Sequence, residues 1–337
     1  MSKRTITISI FSFIVIAVVI TIIILKQPPK YYTRYGIELG TDVKITYATD
    51  RGNAKKVVDD MFNKFDEYEK IFDPWLNGSE LYNLNHSNGQ WVKVSPELLA
   101  VLKNSIVLAN LTDGEFDPTI GRLVPLWGFN TDNTHEWHLP SPQSIKNALI
   151  HVGYKNVEIK GNEVKLLNGV WLDLNGMMEG YIDQLLINIA KANDPNSTGY
   201  VDVGGTVGII GPKDGSQPWI IGIQNPRGGP NDAIAYVKLY KGYVGTSGDY
   251  ERYIVVDGKR YYHIFDPKTG YSNNYFESIT TVSTISTLSD GFGVFAMVNG
   301  SSNINEWAKK LGISYLAIDE NGKMIEGPGW TAYEYKP

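Results

Sequence analysis

Strand-like and helix-like patterns are mixed along this chain without a regular order, and that mixture restricts the fold more than any other feature. Strand alternation occurs in GIELGTDVKITYAT and recurs more densely in the second half, where GNE and DGK are hairpin signals between alternating runs. Helical spacing marks residues 53–71, the segment after Ser95-Pro96-Glu97, and the stretches GYIDQLLINIAKAN and DGFGVFAMVNG. Because no βαβ repeat connects these patterns, the sequence predicts an α+β fold.

Composition limits the classes of function. The chain has 337 residues, 42% of them hydrophobic, and from residue 31 onward its patterns predict one continuous globular unit. A formal net charge of −5 without a basic stripe argues against nucleic acid as a partner. The absence of cysteine excludes disulfides, thiolate catalysis, Cys-ligated metal centres and a lipid-modified Cys anchor. We therefore expect any metal here to be held by oxygen ligands.

The first 30 residues predict a membrane anchor. An uncharged run from Thr5 to Leu25 is long enough for a helix to cross the hydrocarbon core. No small-residue cleavage site precedes Gln27, which favours an uncleaved signal anchor over a signal peptide, and the Pro pair after it argues against a buried core helix. The flanking positive charges are nearly balanced, so they fix the orientation only weakly. We expect a cytoplasmic tip and transmembrane anchor in 1–30 and a separate domain in 31–337.

Several stretches are rich in Gly, Asp and Thr where a simple core would be apolar. Each has an ordinary structural explanation: a tight Gly-Gly turn, a helix cap at Asp290, an Asp-Pro-x-x-Gly turn after His263, or a solvated helix charge at Glu179. His263, between aromatic and apolar residues, could equally be a hydrogen-bonded core histidine. The stretches are GEFDPTIGRLVPLWGF (114–129), DLNGMMEGYIDQL (173–185), YVDVGGTVGIIG (200–211), GTSGDYERY (245–253), HIFDPKTG (263–270) and TLSDGFGVFAMV (287–298).

Taken in order, these stretches resemble the FAD:protein FMN transferase (ApbE) family. The resemblance runs from Leu39 to Gly300. It includes WLNGSELYNLN for the aromatic-then-Ser-x-Leu segment, an almost letter-for-letter match to G-x-F-D-x-T-x-G-x-L-V-x-L-W-G-F, and then D-L-x-x-x-x-[KE]-G-Y-x-x-D, Gly-Gly, T-S-G-x-Y and H-x-[IL]-D-P-x-T-G. Ordered agreement of this kind implies the fold of that family, FAD as the substrate and transfer of FMN as the reaction.

The resemblance also assigns site residues. His263 matches the family histidine that lies beside the flavin and is implicated in transfer, where a proton acceptor is needed for the attacking hydroxyl. Trp75 matches an aromatic residue placed against the isoalloxazine, although a core tryptophan would look the same. The flavin-binding positions implied are Leu39 in place of the usual Met, Trp75, Glu115, Phe116, Asp117, Asp173, Glu179 and Ile264.

The metal-binding segment departs from the family pattern. The resemblance implies Mg²⁺ ligands at the Gly176 carbonyl and at Asp290, with further side chains near the end of the last motif. Here Gly293 and Val294 stand at those last positions and offer no side-chain oxygen, and Thr206 stands where an acid or amide is commoner. A site made of Asp290, a carbonyl and phosphate oxygens remains chemically reasonable for Mg²⁺ but would be weak.

Three functions follow as hypotheses. The leading one is a membrane-anchored transferase that uses Mg²⁺ to move FMN from FAD to a Ser or Thr of an extracytoplasmic flavoprotein. The second is a non-catalytic FAD-binding paralogue that lost its metal, for which Val294 is the best argument. The third is an FAD pyrophosphatase, in which water replaces the protein hydroxyl. The resemblance further implies a domain on the extracellular face of a bacterial cell membrane.

Overall fold

An eight-stranded sheet, antiparallel throughout, organises the chain. The computed structural model describes residues 29–131, 133–229 and 232–337. The strands are Tyr32–Glu38 (β1), Thr41–Ala48 (β2), Val92–Lys93 (β3), Val157–Lys160 (β4), Glu163–Leu166 (β5), Thr198–Val203 (β6), Thr206–Gly211 (β7), Trp219–Gln224 (β8), Ala233–Leu239 (β9), Gly242–Gly248 (β10), Tyr253–Val256 (β11), Lys259–Tyr262 (β12), Phe276–Ser283 (β13), Ser314–Asp319 (β14) and Met324–Glu326 (β15). The large sheet has the order β1-β2-β6-β7-β10-β13-β14-β15, and smaller sheets are β3-β5-β4, β8-β9 and β11-β12.

Helices cover one face of this sheet. The α-helices of the described residues are Ala54–Phe62 (α1), Phe65–Phe72 (α2), Glu80–Asn85 (α3), Pro96–Leu111 (α4), Leu123–Trp127 (α5), Pro142–Leu149 (α6), Asn175–Asn193 (α7), Ser286–Asn299 (α8) and Ile304–Leu311 (α9), with short 3₁₀ turns at Thr134–Glu136, Tyr154–Asn156 and Trp330–Ala332. Helices α7 and α8 pack on each other and on the central strands, and the main core lies between them and the sheet. The β8-β9 hairpin covers the other face with a smaller apolar cluster. The predicted α+β class is confirmed.

Local signals in the sequence explain most element boundaries. Ser95 caps α4 by accepting a 3.2 Å hydrogen bond from the Leu98 amide, with Pro96 at the first helical position. The GNE and DGK signals are turns between β4 and β5 and between β11 and β12, and Asp257 and Gly258 take the positive φ angles that such a turn requires.

Two expectations about helices were wrong in detail. Residues 53–71 form two helices, because the Lys64 amide bonds the Met61 carbonyl three residues back and this tight turn redirects the chain. Asp290 does not cap its helix, since α8 begins at Ser286 and the carboxylate lies one turn inside it.

No helix within the described ranges is long and apolar enough to cross a membrane. The predicted anchor from Thr5 to Leu25 lies outside the described residues.

A close approach of α7 to α8 requires glycine at position 180. A β-carbon there would lie 2.5 Å from the Ser286 carbonyl oxygen and 2.8 Å from its carbon. Exchanging Gly for Ala inside a helix normally stabilises by about 1 kcal/mol, but this overlap with backbone should reverse the sign. We expect Gly180→Ala to lower the free energy of unfolding by about 1–3 kcal/mol, measured by urea denaturation.

Gly222→Ala is the control for this prediction, because its added carbon would meet its nearest neighbour at an ordinary 3.5 Å. A Gly180→Ala protein as stable as the parent chain would show that the two helices can separate freely.

Candidate active site

Several turns meet at one end of the large sheet. Strands β1 and β2 are joined there at Leu39-Gly40, and β6 and β7 are joined at Gly204-Gly205. Strand β10 ends and β13 begins at the same end, because Gly248 pairs with Ser278. Polar residues from distant parts of the sequence therefore come together at this end.

Asp290 joins α8 to α7 and to the start of β7. Its Oδ2 accepts a 2.6 Å hydrogen bond from the Gly180 amide, and its Oδ1 accepts one from the Thr206 hydroxyl. Burial raises the pKa of this carboxyl to about 7, although both hydrogen bonds act to lower it. Thr206, which departs from the family pattern, is thus a direct partner of the predicted metal ligand.

Gly176, whose carbonyl is a predicted metal ligand, lies next to α8, and metal binding there stays a prediction. A β-carbon on Gly176 would lie 3.3 Å from a Val294 methyl and 3.3 Å from the Phe116 ring, so these three residues are neighbours. Val294 follows Asp290 by four residues and therefore shares its face of α8. The Gly180 amide, one turn after Gly176 on α7, donates to Asp290 and so joins the start of α7 to α8.

A protein-only metal cage is absent from the described parts of the chain. No group of three or more Asp, Glu or His side chains there is arranged to hold a metal ion. The donor set of Asp290 and the Gly176 carbonyl nevertheless fits Mg²⁺, which is usually bound through one or two carboxylates together with substrate phosphates and water. The methyls of Val294 limit this set to two protein ligands.

Further carboxyl groups surround Asp290. Glu179 lies with its carboxyl group against the Cα of Gly204, where only glycine fits and where φ is +61°. Its pKa is raised well above the usual value, first by burial and then by the charge of Asp290, and Arg252 lowers it in part. The interpretation of Glu179 as a solvated charge is therefore wrong.

Asp183 is a buried carboxyl group that the sequence analysis did not select. It lies one turn beyond Glu179 on α7 and is fully buried, and neither oxygen has a hydrogen-bond partner of good geometry among the described residues. Burial and the neighbouring carboxyls raise its pKa well above the usual value, and the Gly208 amide lowers it only in part. Its position four residues after Glu179, on the same face of a helix, was the signal that could have identified it.

His263 follows β12 and lies beside the β11 segment. Its amide donates a 3.1 Å hydrogen bond to the Arg252 carbonyl, and its buried Nδ1 has no partner among the described residues. Burial, and to a lesser extent the positive charge of Arg252, lower the pKa of the imidazole to about 4. The ring is therefore neutral at physiological pH and able to accept a proton.

The loop after His263 is connected to the loop that carries Glu115. The Asp266 carbonyl accepts the Gly270 amide at 2.8 Å, which closes the predicted Asp-Pro-x-x-Gly turn. Lys268 from this turn forms an ion pair with Glu115. Two sequence motifs separated by 153 residues are joined by this contact.

The two predicted flavin-binding aspartates have contacts that organise the backbone. Asp117 is buried, and its carboxylate accepts the Thr119 amide at 2.8 Å and the Tyr154 amide at 2.9 Å, so this group fixes its own loop. Asp173 accepts the Asn175 amide at 2.9 Å at the start of α7. Burial raises the pKa of Asp173, and the charge of Arg252 partly offsets that effect. A flavin contact for either residue stays a prediction.

The remaining predicted residues are apolar. Ile264 is buried in the main core, and Leu39 packs against that core with a positive φ of 54°. Trp75 stands apart from them, because it packs against a separate cluster around Trp127 and Phe265. The linked loops and helices described above carry Glu115, Phe116, Gly176, Glu179, His263 and Asp290. Trp75 packs in the cluster that contains Phe265, two residues after His263.

A pH dependence of stability follows from Asp202 on β6. Burial raises the pKa of its carboxyl to about 6. A raised pKa means that the native chain holds its proton more tightly than the unfolded chain, so the contribution to stability is complete below about pH 4 and is lost as pH rises through about 6. We expect Asp202→Asn to gain stability relative to the parent chain by about 3 kcal/mol as pH rises from 4 to 8.

Urea denaturation of both proteins at pH 4, 6 and 8 measures this difference. The comparison at pH 4 is the internal control, because protonated aspartic acid and asparagine are both uncharged there. A difference that stays constant with pH would contradict the prediction.

Known proteins share this architecture. The crystal structure of the ApbE protein from Thermotoga maritima has a TM-score of 0.86 and 36% sequence identity, covering 91% of this chain and 100% of that one. The flavin transferase ApbE from Vibrio cholerae has a TM-score of 0.79 and 26% identity, with coverage of 91% and 100%. The FAD:protein FMN transferase of Salmonella typhimurium is 29% identical over 277 residues, 78% of each chain.

Flavin transferases are therefore the class of enzyme that the fold and sequence match. The model of the ApbE family matches residues 39–317. The chain belongs to the ApbE family.

Proposed function

We propose that the chain is an FAD:protein FMN transferase that moves FMN from FAD to a Ser or Thr hydroxyl of an acceptor flavoprotein. Relatives over most of the chain carry that name. The observation that carries the proposal is the meeting of the family motifs in one site: Arg252 reaches Gly40 across 212 residues, and Gly180 reaches Asp290 across 110. A likeness of fold alone does not identify a function, so the proposal depends on the site residues that these contacts bring together.

The reaction needs two groups that the chain can provide. The acceptor hydroxyl oxygen forms a bond to the phosphorus of the FMN half, the bond from that phosphorus to the bridging oxygen breaks, and AMP leaves with that oxygen. The hydroxyl proton passes to a base, for which we propose the neutral imidazole of His263. The Nδ1 atom, which lacks a protein partner among the described residues, is the atom suited to receive it.

Charge on the diphosphate must also be balanced. A divalent cation held by Asp290 and the Gly176 carbonyl would supply that balance when bound. Asp290 is kept in place by Gly180 and Thr206, so its orientation does not depend on the ligand. Arg252 supplies a fixed positive charge near Glu179, Asp173 and His263.

The second candidate function is a non-catalytic FAD-binding paralogue. Val294 favours it, because an apolar side chain lies against Gly176 where a side-chain oxygen would complete the metal site. A chain of this kind would bind FAD without forming AMP.

Chromatography of the nucleotide products separates the candidates. The full-length chain is incubated with FAD and Mg²⁺, with and without an acceptor protein, and AMP and free FMN are quantified. A transferase releases AMP only with the acceptor and without matching free FMN. A pyrophosphatase releases AMP and FMN in equal amounts without an acceptor, and a binding paralogue releases neither.

We also propose that residues 1–30 anchor the chain in a bacterial cell membrane, with residues 31–337 on the extracellular face. The uncharged run from Thr5 to Leu25 and the absence of cysteine support this location. Protease added to intact cells should remove the domain while a cytoplasmic marker stays intact. Protection of the domain until the cells are lysed would contradict the proposed orientation.

A further inference from the structure

Arg252 connects three parts of the chain that surround the candidate site. Its Nη2 donates a 3.0 Å hydrogen bond to the Gly40 carbonyl in the β1-β2 turn. Its Nη1 lies 3.5 Å from the Phe129 carbonyl, at the end of the motif that contains Glu115. Its own carbonyl accepts the His263 amide. One residue thus contacts three separate segments, each of which carries a predicted flavin-site residue.

The contacts of Arg252 depend on its shape. A guanidinium presents donors in a fixed planar fork, whereas the ammonium of lysine is a compact point charge. The two carbonyls that Arg252 reaches belong to residues 89 apart in the sequence, Gly40 and Phe129, and a planar fork can hold both at once. Gly40 has a φ of +71°, a left-handed conformation that glycine adopts without strain, and the turn in this conformation presents its carbonyl to Arg252.

The positive charge of Arg252 acts on carboxyl groups of the candidate site. Asp173 and Glu179 are both buried enough for desolvation to raise their pKa values, and Arg252 lowers the pKa of each. Lys44 acts in the same way on Asp202. A site with this many carboxyl groups repels an anionic diphosphate unless positive charge is fixed beside them. Arg252 meets that need at the position where the segments converge.

We propose that Arg252 is a positioning residue of the flavin site, whose guanidinium holds the β1-β2 turn and the Phe129 segment together so that the anionic diphosphate of a flavin dinucleotide can bind. This inference rests on the proposed function for the identity of the ligand. It gives Arg252 no part in proton transfer.

The test compares FAD affinity in variants of the full-length chain. Flavin fluorescence at equilibrium gives the dissociation constant, and steady-state kinetics give KM for FAD and kcat. We expect Arg252→Met to weaken FAD binding by about 10- to 100-fold and to raise KM in proportion with a smaller change in kcat, as loss of hydrogen bonds from a charged group predicts. The FAD affinity of Arg252→Lys should lie between those of the parent chain and Arg252→Met, because the positive charge remains while the planar fork of donors is lost.

Chemical rescue separates a positioning role from a general loss of stability. Guanidinium chloride, added to Arg252→Ala far below denaturing concentrations, should restore part of the FAD affinity. Arg34→Met is the matched control: Arg34 lies on β1, pairs with Asp59 at 3.0 Å and has no contact with the site segments named here. Its FAD affinity should equal that of the parent chain.

The inference is overturned if Arg252→Met and Arg252→Lys bind FAD as the parent chain does, or if their only defect is a lower free energy of unfolding. It is also overturned if guanidinium leaves the affinity of Arg252→Ala unchanged. Because affinity is measured without an acceptor, a parent chain that binds FAD but transfers nothing would contradict the proposed transferase activity and leave this comparison valid.

Discussion

Replacing His263 by alanine should lower the rate of FMN transfer by about 10²- to 10⁴-fold, the usual contribution of a general base. The ring lies beside Arg252 with its Nδ1 buried, and its lowered pKa of about 4 keeps it in the proton-accepting form. FAD affinity should change little, because the proposed role is realised only when the hydroxyl is attacked. Single-turnover rates and equilibrium flavin binding measure the two effects separately.

The pH profile adds a second test of the same residue. Because the pKa of His263 is lowered, its neutral form persists as pH falls and is lost only near pH 4. Protonation of His263 should therefore cause no decline in rate between pH 8 and 6. His138→Ala is the control, since that exposed ring forms its hydrogen bond with the nearby Glu136 carbonyl. A parent-like rate in His263→Ala would remove this residue from the mechanism.

The Mg²⁺ requirement should respond in opposite directions to two changes on α8. Asp290→Asn keeps the shape of the side chain: its amide oxygen can accept from Gly180, and its amide nitrogen can donate to the Thr206 hydroxyl in a reversed hydrogen bond. The change removes the one carboxylate of the proposed ligand set. We expect the Mg²⁺ concentration for half-maximal activity to rise by about 10- to 100-fold. Val294→Thr places a hydroxyl next to Gly176 and should lower that concentration.

A titration of activity with Mg²⁺ in the two variants and the parent chain measures this effect. Gly222→Ala, on β8 away from α8, serves as the control and should leave the requirement unchanged. An unchanged Mg²⁺ requirement in Asp290→Asn would contradict the proposed role of Asp290 as a metal ligand. An increased requirement in Val294→Thr would contradict the proposed neighbourhood of Gly176 and Val294.

Much of the fold could be predicted because its signals are local. The cap at Ser95, the hairpin turn at Gly258 and the helical spacing in 180–193 each depend on a few adjacent residues, and each is found in the structure. The single helix predicted for 53–71 failed for the opposite reason. The break at Lys64 has no Pro or Gly to mark it, and it consists of a tight turn closed by the Lys64 amide and the Met61 carbonyl.

From the sequence, the candidate site could be predicted only for residues that match positions of the ordered family motifs. Helical spacing suggests that Glu179 is a solvated charge, because an amphipathic helix normally exposes its polar face to water. Here that face of α7 packs against β6 and β7 instead. Functional sites are where such rules fail. Arg252 was missed because its importance lies in contacts with Gly40 and Phe129, which no local pattern records.

The measurement that tests the central claim most directly is the intact mass of an acceptor flavoprotein after incubation with the full-length chain, Mg²⁺ and FAD. If FMN is transferred, the mass of the acceptor should increase by that of one FMN minus one water. The added group should be located on a single Ser or Thr, and an equal amount of AMP should be released. The increase should be absent when FMN replaces FAD, and it should form far more slowly when His263 is alanine. An acceptor of unchanged mass, with FAD bound to the chain and intact, would contradict the account.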